Sequence, residues 1–251
     1  MNSNIAFALL LTTLAGLATS VGGLLGIILK RPGPRAMAAT LGFAAGVMVY
    51  ISFVELFDEA VGGLGFAWAN VAFFGGLAAM FLIDVSIPHD YFAERYSTHG
   101  DARMMRTGLL TALGLGIHNF PEGLATFAGT LHSAELGIAI AIAIGIHNIP
   151  EGIAVAAPIA AATGSRGKAF LWAFLSGLAE PAGAIVAAII LYPFLSEAVV
   201  GALMGTVAGL MVYVALDELV PASREYGHGH LAIVSAAGGM AVMAVSLHML
   251  M

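Results

Sequence analysis

The sequence predicts an all-α fold: a polytopic integral membrane bundle of eight transmembrane helices, with both termini extracytoplasmic. Three observations predict it. Of 251 residues, 60% are hydrophobic and 10% charged, and the mean hydropathy is +0.96, a balance foreign to soluble globular domains. Apolar runs of about 20 residues, the length that crosses a bilayer's hydrocarbon core, follow one another with short polar breaks. All nine Lys and Arg residues fall in alternate breaks.

The first span, roughly 5–29, lacks a basic leader and is too long for a cleaved signal segment, so it reads as a transmembrane helix. Lys30, Arg31 and Arg35 follow it. The second, roughly 36–57, places Met48 and Glu55 on one face and ends at Asp58 and Glu59. Glu55 is expected to line a pore and Met48 to pack, while Asp58 and Glu59 read as a solvated loop that could also concentrate cations. The third, roughly 66–85, has Asp84 near its end. It leads into the longest loop, 86–106, with Arg95, Arg103 and Arg106 beside His89, Asp90, Glu94, His99 and Asp101. The fourth and fifth, roughly 107–129 and 135–161, form an antiparallel hairpin with its tip near 132–133. Arg166 and Lys168 come next, then a sixth span, roughly 168–192, containing Glu180 and Pro181. The seventh, roughly 198–220, ends in Asp217 and Glu218 before Pro221, where an exit site and simple interfacial anchoring are both open. The connector 221–230 holds Arg224 and two histidines, His228 and His230, and the last span covers roughly 231–250. Both longer loops read as solvated connectors, since neither has fixed ligand spacing. His132, in the hairpin tip, and His248 read as incidental.

Because basic residues flank the cytoplasmic ends of spans, the four basic loops are expected in the cytoplasm and both termini outside. There are 32 glycines, among them Gly22 and Gly26, Gly42 and Gly46, and Gly201, Gly205 and Gly209. Four-residue spacing lets membrane helices approach closely. Packing inside one subunit is the expected use, with a homodimer seam as the other. No cysteine occurs, which removes disulfides and thiolate metal sites.

The chemistry is concentrated in one hexapeptide written twice: His-Asn-Phe-Pro-Glu-Gly at 118–123 and His-Asn-Ile-Pro-Glu-Gly at 147–152. Each copy sets an imidazole and a carboxylate four residues apart, on one helix face. Ionisable side chains at membrane depth are costly and face a partner or a pathway. His118 and His147 stand equally far along the chain from the tip, so folding the hairpin is expected to bring them to the same depth. Glu122 and Glu151 lie one turn beyond, and four nitrogen and oxygen ligands can converge on a divalent cation. The mixture suits zinc and later transition metals without strict selectivity. Pro121 and Pro150 are expected to kink the helices and free carbonyls near Ile117 and Ile146. Asn119 and Asn148 add side-chain carbonyls, and Gly123 and Gly152 leave room for close approach. Glu180, buried at similar depth, would escape its desolvation penalty by sharing a metal.

The two hexapeptides, with eight spans and both termini outside, closely resemble the ZIP (Zrt-, Irt-like protein) family of divalent-metal transporters, and within it the bacterial zinc-uptake permeases. The resemblance covers the whole chain and implies a single ZIP-type transmembrane transporter domain over 1–251, in the inner or plasma membrane. It implies a binuclear centre with His118, Glu122, His147 and Glu151 at one metal, and Asn119, Asn148 and Glu180 at a second that the two glutamates bridge. It supports metal roles for Asp217 and Glu218 and, with Met48 and Glu55, completes the candidate ligand set. Family members often carry a long His-rich loop after the third span, which here is short.

The expected cargo is Zn²⁺, with Fe²⁺, Mn²⁺, Co²⁺ and Cd²⁺ as further substrates, and no resident cofactor is required. The expected partners are these ions and the lipid bilayer. No nucleic acid is expected, and Gly-Ser-Arg-Gly-Lys at 164–168 lacks phosphate-loop spacing, so neither is a nucleotide. An intramembrane metal-dependent hydrolase is the alternative from another class. It would need an open zinc position and a spare base, and HExxH is absent.

Overall fold

A computed structural model describes residues 3–28, 33–86 and 100–250. Lys30, Arg31, His89, Asp90, Glu94, Arg95 and His99 lie outside them. Every element is helical: α1 (Ser3–Ile28), α2 (Pro34–Leu64), α3 (Phe66–Ser86), α4 (Gly100–His132), α5 (Ala134–Thr163), α6 (Arg166–Phe194), α7 (Glu197–Glu225) and α8 (Gly229–Leu250). Serines start three of them. Ser133, Ser165 and Ser196 accept hydrogen bonds from the backbone N–H of Leu136, Lys168 and Val199 at 3.1, 3.3 and 3.3 Å, which satisfies donors that a helix N-terminus leaves open. Glycine ends two. Gly65 (φ 77°) turns the chain between α2 and α3 in one residue, and Gly164 (φ 64°) closes α5.

Among the described residues, seven helices are long and apolar enough to cross a membrane. The eighth, α4, has the length but not the composition. It starts at Gly100 rather than near residue 107, so it takes in Asp101, Arg103 and Arg106 as well as its hexapeptide. The matching hexapeptide in α5 is embedded in alternating Ile and Ala.

The helices sort into two groups of four. α1, α4, α5 and α6 pack against one another, as do α2, α3, α7 and α8, and the groups meet along α2–α5 and α4–α7. Glycines seat the contacts inside each group. A Cβ on Gly22 would collide with the Ile149 carbonyl, and one on Gly26 would press on Ile153. Gly42 and Gly46 stand against Ala232 and Ala236 of α8, and Gly205 and Gly209 against Ala69, Ala72 and Phe73 of α3. The glycine series therefore serve packing within the subunit, and a homodimer draws no support from them.

Helix runs unbroken through Pro121 and Pro150. The irregularities fall elsewhere. α6 is interrupted at Leu178, just before Glu180 and Pro181. π-helical turns occupy Ser52–Leu56, Ala187–Leu191 and Ala215–Leu219. The first contains Glu55 and the last Asp217 and Glu218. Such turns insert an extra residue and re-aim side chains.

Candidate metal centre

The hairpin of α4 and α5 places both hexapeptides face to face. His118, Asn119, Glu122, His147, Asn148 and Glu151 are all 0% exposed, as is Glu180 on α6. Each histidine meets the opposite helix's glutamate rather than the other histidine. His118 Nε2 lies 3.3 Å from Glu151 Oε1, and His147 Nε2 lies 3.4 Å from Glu122 Oε1. The two histidines thus each reach across the hairpin to a glutamate one turn along the partner helix. Imidazole opposite carboxylate gives complementary charge, whereas imidazole opposite imidazole does not. Only the His118–Glu151 contact is aligned as a hydrogen bond. The His147–Glu122 approach is not, and both Glu122 oxygens lack a donor.

Neighbouring helices orient the amides. Asn148 Nδ2 donates to the Ala15 carbonyl of α1 at 3.0 Å and also to Glu180 Oε1. Asn119 Nδ2 donates to the Ser176 carbonyl at 3.3 Å, beside the interruption of α6. Backbone carbonyls only accept, so the NH₂ end of each amide must face them, which frees each Oδ1 for the interior. The closing glycines differ in use. A Cβ on Gly123 would strike the Glu180 backbone carbonyl, and one on Gly152 the Thr19 carbonyl. One glycine seats α6 with its carboxylate, and the other seats α1.

The outcome is a buried cluster rich in unanswered lone pairs. Asn119 Oδ1, both Glu122 oxygens, Asn148 Oδ1, Glu151 Oε2 and Glu180 Oε2 have no hydrogen-bond donor, and neither do the two Nδ1 atoms or His147 Nε2. Leaving such groups buried is expensive. A cation is one kind of group that such oxygen lone pairs and one nitrogen of each imidazole could share. Two ligands about 2.0–2.1 Å from a tetrahedral zinc stand about 3.3–3.4 Å apart, which is the spacing of both His–Glu pairs. Among the described residues, no three His, Asp or Glu side chains are gathered as a finished ligand set. The arrangement is two crossed pairs.

The remaining candidates stand on α2 and α7, in the other group of helices, and Glu218 lies within electrostatic reach of His118 and Glu151. Met48 is fully buried within the apolar core of α2. Glu55 is half-buried at the other end of the same helix. Asp217 is exposed and Glu218 half-buried, the latter's carboxylate lying over Gly114, one turn before His118. Tyr213 donates from its hydroxyl to Asp84 Oδ2 at 3.1 Å. Ala15, Thr19 and Ser176 contribute through α1 and α6, and sequence reasoning missed them. Backbone carbonyls carry no sequence signal, although the glycine run 16, 22, 23 and 26 on α1 marked a helix that must be approached closely.

Fold and cluster together define a multi-pass helical membrane protein with an ionisable site inside its bundle. Comparison with known proteins makes the class specific. Residues 88–247 match the family described as ZIP Zinc transporter. The proteins named Zinc transporter ZupT are similar over their whole length. That of Corynebacterium efficiens is 51% identical over 98% of this chain and 97% of its own. Those of Chlorobaculum parvum and Streptococcus mutans are 48% and 46% identical, each over 98% of both chains. The chain belongs to the ZIP family, whose members are metal transporters and not enzymes, and the hydrolase alternative is set aside.

Proposed function

We propose that this protein takes up divalent transition-metal cations, zinc foremost, across the inner or plasma membrane into the cytoplasm. Fe²⁺, Mn²⁺, Co²⁺ and Cd²⁺ are the further cargo. Its carrying element is the His/Glu/Asn cluster. His118 and Glu151, with His147 and Glu122, hold one ion, and Asn119, Asn148 and Glu180 extend the set to a second that the glutamates bridge. Six buried oxygens without a donor carry this reading, because lone pairs at membrane depth call for a cation. The relatives' printed name supports zinc, and the mixed imidazole–carboxylate set supports a tolerant site. Both termini lie outside by the placement of basic residues. Glu55 serves the entrance, and Asp217 and Glu218 the exit.

The test is uptake of radioactive zinc into proteoliposomes. Wild-type protein is expected to load vesicles, and His118→Ala and Glu151→Ala protein of unchanged elution volume is expected not to. Undiminished uptake by both variants would overturn the assignment of the site.

A further inference from the structure

One polar contact at the hairpin tip has no part in the buried cluster. His132, the last residue of α4, sets its Nε2 3.1 Å from Glu59 Oε1 on α2, both side chains being about one-third exposed. α4 belongs to the group of helices holding the cluster and α2 to the other. The pair therefore ties the two groups together at the end of the bundle where the hairpin turns. Its surroundings are acidic. Glu59 and Asp58 both lie within electrostatic reach of Glu55, Glu135 opens α5 and Glu197 opens α7, and His248 stands in the last turn of α8. Glu135 is engaged by Ser133, which donates to its Oε2 at 3.0 Å. Histidine is the side chain that gains charge between about pH 8 and 5. A protonated His132 facing the Glu59 carboxylate makes a stronger tie than a neutral one, and the surrounding carboxylates add to that attraction.

We propose that His132 and Glu59 form a proton-sensitive latch between the two helix groups at the outer mouth, closing more firmly as external pH falls. The inference rests on the transport reading and its orientation, and it concerns residues outside the ligand set. The sign is fixed. A cationic His132 facing an anionic Glu59 draws the two helix groups together, and a tighter latch slows entry. Loss of either charge leaves the mouth freer.

The absence of cysteine allows a direct test. In a His132→Cys/Glu59→Cys protein, a short bis-methanethiosulfonate cross-linker joins the only two thiols, and thiol titration verifies the joining. Zinc uptake is expected to drop below about one-tenth and to return with dithiothreitol; unchanged uptake in fully joined protein would overturn the latch. A second measurement reads the charge. Between pH 8 and 6, wild-type uptake is expected to slow about threefold more than His132→Gln uptake, the size suited to a partly exposed pair. His132→Lys is expected to be slow at both pH values and to recover when combined with Glu59→Gln. Proton competition at the buried cluster acts on all variants alike, so identical pH profiles would also overturn the proposal. A wild type that transports nothing would instead overturn the transport reading itself.

Discussion

The two groups of four helices are built alike in one respect and oppositely in another. Both bring backbones together through glycine: Gly22, Gly123, Gly152 and Gly183 in the group of α1, α4, α5 and α6, and Gly42, Gly46, Gly76 and Gly209 in the other. Of the fifteen buried polar or charged side chains among the described residues, however, thirteen lie in the first group and only Ser52 and Ser223 in the second. Those two serines hydrogen-bond to carbonyls of their own helix, Met48 and Val220, each at 2.7 Å. In the first group, His118, Glu122, Asn148 and Glu180 turn instead toward other helices. Glycine packing is thus a shared means of assembly in a medium where apolar contact gives helices no preference for one another. Among the described residues, buried polar side-chain atoms without a partner are confined to the group that holds the His/Glu/Asn cluster.

Breaking the cluster should give the largest effect. Glu151→Ala and His118→Ala are expected to lower initial zinc uptake more than about 100-fold, since each removes a proposed ligand and strands its partner. Equal substitutions of Ser52 and Ser223 should leave uptake within about twofold, because each removes only a bond to its own helix.

Acidification comes next. Zinc ligands must give up protons, so the apparent zinc affinity should weaken by up to about tenfold per pH unit for each proton displaced. Isothermal titration at pH 7.5 and 5.5 reads this, and a flat profile would argue against carboxylate and imidazole ligands. Glu180→Gln retains the shape and the bond to Asn148 but loses a charge, and about a tenfold loss of zinc affinity is expected on titration.

Glycine substitutions separate assembly from binding. Gly152→Ala and Gly46→Ala each press a methyl group into a facing backbone carbonyl, of Thr19 and Ala236 respectively. Each should cost about 1–3 kcal/mol of stability in detergent melting. Only Gly152→Ala should alter zinc affinity, because it alone shifts α1, whose Ala15 carbonyl positions Asn148. The smallest effect belongs to Met48→Leu. Met48 is packed in apolar core, so the swap should cost less than about 1.5 kcal/mol and leave uptake unchanged. A strong transport defect there would restore Met48 to the ligand set.

The helices were legible because a bilayer accepts few alternatives. A hydrophobic run of spanning length has to satisfy its backbone internally, and the serine caps and Gly65 and Gly164 punctuate it locally. The hexapeptides were legible because His and Glu four residues apart share a face wherever the chain is helical. Less was legible about their pairing. Which side chain of one hexapeptide meets which of the other depends on how the two helices face each other, and no pattern along the chain records that. The irregular turns at Glu55, at Asp217 and Glu218, and ahead of Glu180 carried no such signal. The surroundings choose which strained turn survives. His132 read as incidental because its partner Glu59 is remote in sequence.

By itself, then, the sequence determined a helical membrane bundle, the family, and the presence of two polar hexapeptides in apolar surroundings. The bundle and the hexapeptides follow from composition, periodicity and spacing within one segment, and the family from the resemblance that the hexapeptides carry. Tertiary structure alone decided that histidine meets glutamate across the hairpin, that α1 and α6 hold the asparagines, and that His132 bridges two helix groups. Such contacts depend on register and on which helices adjoin, and these are set by the packing of all eight together.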